Sequence, residues 1–233
     1  MSFKITWLGQ GGFLFEVGNK TVCVDPYLSD SVEKAEGLAR LVPIPVKPEE
    51  LRVDMIVTTH NHLDHLDRDT LMHTDKRNTR YSGPDSCIAE FRKLGVPENK
   101  LSVLNRGQSL ALGETMINAV YAEHTRDSIG VVISHEGVTL YLTGDSLYSE
   151  RLLEAARHRP DILICCINGK LGNMDYNDAA KLAGQLGVKV AVPCHYGMFA
   201  KNTEDPLNFK KALEKYKTVY RELEFNKTTD VGR

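Results

Sequence analysis

The sequence lacks the features that mark membrane, secreted and disulfide-rich proteins. It has five cysteines among 233 residues, an odd number without a CxxC pair, so neither a disulfide framework nor a thiolate metal site is indicated. No apolar run approaches the roughly 20 residues that span a bilayer, and the apolar run at the N-terminus is too short for a signal peptide. We therefore expect a protein of the cytoplasm whose cysteines pack in its interior.

An excess of charge of either sign is also absent. Lysine and arginine together number 29 against 31 aspartates and glutamates, which gives a formal net charge of −2, and the basic residues are scattered along the chain. A balance of this kind does not attract a protein to nucleic acid or to an anionic membrane. The expected partner is a small-molecule substrate, with no nucleic acid and no membrane.

What the chain does have is a strand-rich pattern followed by alternating helices and strands. Apolar runs at 4–8, 13–17 and 21–24 are separated by turn residues, and a second block of strand-like runs occupies 101–142. This order predicts an α/β protein of two sheets packed as layers with helices outside, in a single domain over 1–233. The predicted helices are 85–94, 149–157, 177–186 and 206–216, and the last predicted strand is 218–223.

A dense group of metal-ligand residues follows the predicted strand Met55–Val57. The motif His60-x-His62-x-Asp64-His65 places three imidazoles and one carboxylate within six residues. A strand end is rigid, and the loop after it can wrap an ion. By spacing, His60 and His62 can converge on one ion while Asp64 and His65 turn toward a neighbouring one. This pattern predicts metal binding far better than any lone histidine would.

Three further ligand candidates each follow an apolar strand in the same way. His124 ends the strand that begins near Thr115, and Asp145 and His195 end two later strands. Cys194 precedes His195 on an extended segment and therefore points to the opposite side, so we do not count it as a ligand. A set of seven imidazole and carboxylate ligands without thiolate admits Zn, Mn or Fe, and it is large enough for two divalent ions.

In order and approximate spacing, these seven residues resemble the signature of the metallo-β-lactamase superfamily, and the resemblance covers nearly the whole chain. It implies the αββα sandwich of the metallo-β-lactamase fold, with the metals at one edge of the paired sheets. Proteins of this type commonly form homo-oligomers, although the sequence leaves the oligomeric state open. The resemblance also implies that one ion binds His60, His62 and His124, that the other binds Asp64, His65 and His195, and that Asp145 bridges the two.

Three segments are similar to the branch of the superfamily that includes the L-ascorbate-6-phosphate lactonases. They cover residues 143–148, 167–175 and 195–199. The expected activity is hydrolysis of a small ester or lactone, with or without a phosphate group, by hydroxide generated between two divalent ions. Asp64 would be both a metal ligand and the group that accepts the proton of the nucleophile and returns it to the leaving oxygen.

Four other polar residues are weaker candidates. Asp25 is a candidate partner for the N–H of a ligating imidazole, a contact that metal-bound histidines usually make. Asn168 is a candidate either for the same role or for substrate contact. Arg126 and Lys170 could meet an anionic group of the substrate. Each also has a plainer interpretation, as a turn-stabilising Asp before Pro, a strand-end Asn or a solvated charge.

Other functions are compatible with parts of this pattern. The same metal pair would support a phosphodiesterase, although the balanced charge argues against a nucleic-acid substrate. A non-catalytic metal-binding module is disfavoured by the complete ligand set and the retained Asp64. A redox enzyme would be expected to show a carboxylate-adapted diiron site or a flavin domain. The remaining histidines, His73, His135 and His158, lie outside the constellation and are interpreted as structural or surface residues.

Overall fold

Two mixed seven-stranded sheets form the centre of the protein. The computed structural model describes residues 3–231, so the first two and last two residues of the predicted domain lie outside the described part. Across the first sheet the strands are β14 (Thr228–Asp230), β1 (Phe3–Gly9), β2 (Gly12–Val17), β3 (Lys20–Val24), β4 (Met55–Val57), β5 (Arg80–Gly83) and β6 (Leu101–Val103).

The second sheet repeats the organisation of the first. In each sheet three antiparallel pairings are followed by three parallel ones. Across the second sheet the strands are β7 (Ser109–Leu112), β8 (Thr115–Tyr121), β9 (Ile129–His135), β10 (Val138–Leu142), β11 (Ile162–Cys166), β12 (Val190–Cys194) and β13 (Val219–Tyr220).

Helices cover the outer faces of both sheets. Residues of α2 and α3 pack on the first sheet, and α4 and α5 pack on the second. The predicted layered α/β sandwich is therefore confirmed. The helices are α1 (Ser31–Glu36), α2 (Arg68–His73), α3 (Asp85–Lys93), α4 (Tyr176–Leu186) and α5 (Pro206–Leu213), with 3-10 segments at Pro48–Glu50, Glu98–Lys100 and Glu150–His158.

The main core lies between the sheets, and the first sheet is buried on both faces. Val22 and Val24 of β3 face this core, whereas Cys23 between them joins the cluster under α2 and α3. Such alternation follows from the two-residue period of a strand. All five cysteines are buried and free. Burial raises the pKa of the Cys87 thiol to about 12, so these residues serve as apolar packing groups.

The strand directions explain where the site lies. β8 and β10 both run antiparallel to β9, and β12 runs parallel to β10 through β11. The carboxyl ends of β8, β10 and β12 therefore meet at one edge of the second sheet. In the first sheet β3 and β4 are parallel neighbours, so the residues that follow them emerge side by side.

Several elements differ from the sequence prediction. The segment predicted as a helix at 149–157 is a 3-10 segment, and the last predicted strand shortens to β13. The helices α1 and α2 and the strands β5 and β14 were not predicted. Strand β5 reads Arg-Tyr-Ser-Gly, without an apolar run, and it is a strand because β4 and β6 pair with it on both sides. Within residues 3–231, no helix combines the length and apolar character needed to cross a bilayer.

We predict that Gly184→Ala destabilises the protein, although this change normally stabilises a helix interior by about 1 kcal/mol. A Cβ added to Gly184 in α4 would overlap the ring of Tyr216. Overpacking of this kind costs about 1–3 kcal/mol of unfolding free energy, measurable by urea denaturation. In a Tyr216→Ala background the same change should become neutral or stabilising. If Gly184→Ala stabilises the otherwise wild-type protein, the ring of Tyr216 does not pack against α4 as described.

Candidate metal centre

The seven predicted ligands lie together at the common edge of the two sheets. His60, His62, Asp64 and His65 occupy the loop after β4, and the other three follow strands of the second sheet. The seven residues fall into three groups that share members, and within each group the ligand atoms lie within 4.8 Å of one another. These groups are His60 with His62 and His124, His60 with His65 and Asp145, and Asp64 with His65 and His195.

Three imidazoles form one half of the centre. The Nδ1 atom of His62 lies 3.1 Å from Nε2 of His60 and 3.0 Å from Nε2 of His124. The other ring nitrogen of His124 donates to the carbonyl of Gly172 at 3.1 Å, which leaves Nε2 free to face the group. Three ring nitrogens converging in this way match the neutral imidazole donors that bind Zn and similar ions.

The second half joins Asp64, His65 and His195, and Asp145 lies between the halves. The Oδ2 atom of Asp64 is 3.4 Å from Nε2 of His195 and 3.7 Å from Nε2 of His65. The carboxylate of Asp145 approaches the same two imidazole nitrogens at 3.1 and 3.2 Å. It also lies 3.9 Å from Nε2 of His124 in the other half. Among residues 3–231, Asp145 is thus the carboxylate that contacts both halves.

The residues present fit a pair of divalent cations. Imidazole and carboxylate donors together suit Zn, Mn and Fe. The buried Nε2 of His65 has no hydrogen-bond partner among the described residues, although carboxylates lie on two sides of it. A buried polar atom without a partner is costly unless something satisfies it. An ion at that position would satisfy it and would neutralise the surrounding carboxylates.

Asp25 is placed directly behind His65. Its Oδ2 atom accepts a hydrogen bond from Nδ1 of His65 at 2.7 Å. The backbone N–H and the hydroxyl of Thr59 donate to the same carboxylate at 2.7 and 2.6 Å. This contact holds the His65 ring with Nε2 toward the centre, which is the arrangement expected for a metal-bound histidine.

Sequence reasoning missed two amides that hold the metal-binding carboxylates. Nε2 of Gln10 donates to Oδ2 of Asp64 at 2.8 Å, and the backbone carbonyl of Gln10 accepts from the backbone N–H of His195 at 3.1 Å. Nδ2 of Asn173 donates to Oδ2 of Asp145 at 2.9 Å. Gln10 lies among glycines that the sequence presents as a simple turn. The available signal for Gln10 was its position directly after β1, but nothing local indicated which ligand it supports. Asn173 lies in the loop before α4 and offered no such signal.

The turn around Gln10 also needs a glycine for close approach. A Cβ on Gly11 would lie 2.6 Å from Cε1 of His65, so any larger residue would displace that ring. Backbone strain is concentrated here as well. Non-glycine residues with positive φ include Gln10, Asp25 and His195, and each such position costs about 1–3 kcal/mol. The hydrogen bonds described above hold these residues in place.

The charges of the centre are strongly coupled. Burial opposes a positive charge on His195, but Asp145 and Asp64 outweigh it and raise the pKa of His195 to about 9. Burial is likewise outweighed at His65, whose pKa rises well above its ordinary value because of Asp145, Asp64 and Asp25. Burial, together with the charge of His65, lowers the pKa of His60. The metal-free centre therefore holds protons at neutral pH that a metal ion would displace.

The weaker candidates lie around the centre rather than in it. Nδ2 of Asn168 donates to Asn202 at 2.7 Å and to the carbonyl of Lys170 at 3.2 Å, so it joins two loops. The ammonium group of Lys170 donates to the carbonyl of Lys201. Arg126 lines a groove on the His124 side of the centre.

The cysteine and the three histidines that were not counted as ligands from the sequence lie outside the ligand groups in the structure. Cys194 is buried in the main hydrophobic cluster. His73 hydrogen-bonds to the carbonyl of Asp69, His135 to Thr115 and His158 to Arg157. None of them belongs to a metal-binding group in the described residues.

Known proteins are similar to this chain over nearly all of its length. The sequence profile of the β-lactamase superfamily domain matches residues 4–195. A protein of Archaeoglobus fulgidus described as a UPF0173 metal-dependent hydrolase is 33% identical over an alignment of 226 positions; the match covers 91% of this chain and 90% of that protein. The profile match includes all four strand ends that carry the ligands.

Solved structures share the fold at lower sequence identity. Igni18, a metallo hydrolase of Ignicoccus hospitalis, is 22% identical with a TM-score of 0.79 over 100% of both chains. CmlA of Streptomyces venezuelae, a diiron β-hydroxylase, is 14% identical with a TM-score of 0.75, over 99% of this chain and 54% of its own. The fold is therefore shared by proteins with different chemistry, and the fold alone does not identify the reaction.

We predict that Asp25→Ala weakens metal binding about 10- to 100-fold, the usual effect of removing the hydrogen-bond partner of a ligating histidine. The affinity would be measured by competition with a chromogenic chelator. Asp161→Ala is the matched control, because Asp161 precedes β11 at the opposite end of the sheet and hydrogen-bonds Thr139. Equal affinities for the two variants would show that Asp25 does not support His65 as a ligand.

Metal affinity should also rise with pH. Because the pKa of His195 is raised to about 9, its ring is protonated at pH 7 and must lose a proton to bind an ion. Each displaced proton makes affinity rise by about tenfold per pH unit below that pKa. Titration calorimetry at pH 7 in buffers of different ionisation enthalpy should show net proton release. Binding at pH 7 without proton release would contradict this charge state.

Proposed function

This chain belongs to the β-lactamase superfamily and to its UPF0173 metal-dependent hydrolases, and on that premise we propose that it cleaves a small ester or lactone at the metal centre. The observation that supports this most directly is the position of Asp145 between two ligand groups. A bridging carboxylate between three imidazoles and an Asp-His-His group is suited to two ions. The likeness to the lactonase branch remains a prediction, as do the absence of nucleic-acid and membrane partners and the formation of a homo-oligomer.

The ligand groups have distinct tasks in this proposal. His60, His62 and His124 would hold one ion, and Asp64, His65 and His195 would hold the other. Two such ions would supply a nucleophile at neutral pH and polarise the oxygen of the electrophile. Zn, Mn and Fe all suit the donors. Asp145 would hold the two halves at a constant separation, since Asn173 restrains its carboxylate.

Asp64 would carry the proton during the reaction. Although burial favours its neutral form, the charges of His65 and His195 lower its pKa, so it is a carboxylate at neutral pH, the form that a general base requires. Gln10 restrains Oδ2 of this carboxylate. The open pocket over the centre is lined by Asp64 itself, so the residue can also reach a leaving oxygen. Its role would be that of a general base and then a general acid.

We predict that Asp64→Asn retains most bound metal but loses at least about 100-fold in turnover, since general acid–base catalysis typically contributes that much. His62→Ala should lose metal as well as activity. Metal content would be measured by elemental analysis, and turnover on 4-nitrophenyl acetate, a γ-lactone and bis(4-nitrophenyl) phosphate. Asn61→Ala on the same loop is the matched control, because Asn61 is exposed and is not one of the seven proposed ligands.

Two results would contradict the proposal. One is full activity of Asp64→Asn on an ester or lactone. The other is full activity of wild-type protein after chelation and removal of metal. Turnover of the phosphodiester with no turnover of either acyl substrate would replace the proposed activity with phosphodiesterase activity.

A further inference from the structure

An apolar pocket lies over the open face of the metal centre. Its cavity measures about 380 Å³, which is within the range of small-molecule sites. The ligands His62, Asp64, Asp145 and His195 form its floor. Its walls, which we call the apolar pocket walls, are Val32, Leu38, Leu63, Leu171 and Phe199.

Most of these walls belong to a hydrophobic cluster separate from the cores of the two sheets. Val32 and Phe199 are buried together with Tyr27 and Met198, and Leu38 and Leu63 pack against them. The aromatic rings of Tyr27 and Phe199 lie 5.8 Å apart. This cluster stands beside the catalytic edge, so the protein places a preformed hydrocarbon surface next to the centre.

Leu171 is unusual both in its exposure and in its backbone. Its side chain is 73% exposed, and its φ is +53°, followed by +85° at Gly172. The N–H of Asn173 donates to the carbonyl of Lys170 at 3.1 Å, so Leu171 and Gly172 form a two-residue hairpin turn with positive φ at both positions. Such turns favour Asn, Asp or Gly at the position that Leu171 occupies. A leucine at this position is unfavourable because its backbone has a positive φ and because its apolar side chain is exposed to water.

Within the part of the chain that the structure describes, the pocket offers no lysine or arginine side chain to an anionic substrate. Among its lining residues, Glu36 is the one charged group outside the ligand set, and none is Lys or Arg. Two cations near the pocket donate hydrogen bonds to backbone carbonyls. The guanidinium of Arg40 donates to the carbonyls of Tyr27 and Ser29, and Lys170 donates to Lys201. A phosphate or carboxylate held against the apolar pocket walls, away from the metal ligands, would face Glu36 with no lysine or arginine among the lining residues.

We infer that the apolar pocket binds an uncharged hydrocarbon portion of the substrate, so that the enzyme prefers esters or lactones with aliphatic or aromatic substituents to phosphorylated ones. Leu171 would cover that portion from the hairpin side, and Phe199 and Leu63 from the other walls. This inference rests on the proposed function, because it concerns the substrate of the same centre. It is an alternative to the expectation that Arg126 and Lys170 meet an anionic group of the substrate, which stays a prediction; Arg126 lines the separate groove on the His124 side of the centre.

Binding of alkyl hydroxamates tests the pocket without requiring turnover. Hydroxamates chelate metal ions, and a series from acetyl to octanoyl would be titrated calorimetrically into the metal-loaded protein. Burial of each methylene should tighten binding by about two- to fourfold until the pocket is filled. The monohydroxamate of suberic acid, which matches the octanoyl length but ends in a carboxylate, should bind at least about tenfold more weakly than octanohydroxamate, and Glu36→Gln should narrow this difference.

Leu171→Asn is the decisive variant because asparagine suits the turn. It should keep wild-type metal content and at least wild-type unfolding free energy, yet lose much of the preference for octanoyl over acetyl hydroxamate. Leu207→Asn is the matched control, since Leu207 is 58% exposed on α5 and does not line the pocket. Affinity that does not depend on chain length, or a preference unchanged in Leu171→Asn, would overturn the inference.

The two proposals fail separately. If chain length controls hydroxamate affinity but no ester or lactone is hydrolysed, the apolar pocket binds hydrocarbon as inferred and the proposed reaction is wrong. If esters are hydrolysed but the acidic hydroxamate binds as tightly as octanohydroxamate, the proposed reaction is supported and the inferred preference for an uncharged hydrocarbon group is wrong.

Discussion

Burial of two carboxylates among five imidazoles at one sheet edge is the constraint on which the rest of this structure depends. Such groups cannot be removed from water cheaply unless opposite charges and hydrogen bonds satisfy them. In this protein Asp145 contacts imidazoles from both halves of the centre. Asp25, Gln10 and Asn173 then restrain the ligands from behind. Among the ligand atoms of the described residues, Nε2 of His65 is buried without a hydrogen-bond partner, and it faces the position where a cation would complete the balance.

The ligands could be predicted from the sequence because each is a local signal. A histidine or aspartate directly after an apolar run is visible without the fold, and parallel strand ends bring such residues to one edge. The supporting residues are not local in this sense. Gln10 reaches Asp64 across 54 positions of sequence, and Asn173 reaches Asp145 across 28. Only the pairing of the strands brings them together.

The secondary structure likewise divides into elements that are visible locally in the sequence and elements that depend on their neighbours in the fold. Strands with apolar runs were predicted close to their observed bounds, whereas β5 is a strand because its neighbours pair with it. The segment Glu150–His158 has helical periodicity but forms a 3-10 segment. The pocket walls come from the unpredicted α1, from the loops after β4 and β12, and from the hairpin tip at Leu171. No single stretch of sequence contains the pocket, so its apolar character became visible only in the structure.

The central claim is that two metal ions occupy the two ligand groups and share Asp145. Anomalous diffraction from crystals of the metal-loaded protein tests it most directly. We expect two anomalous peaks, one about 2.0–2.3 Å from nitrogens of His60, His62 and His124 and the other at similar distances from Asp64, His65 and His195, with Asp145 in contact with both. A single peak at full metal loading, or peaks away from these residues, would contradict the account.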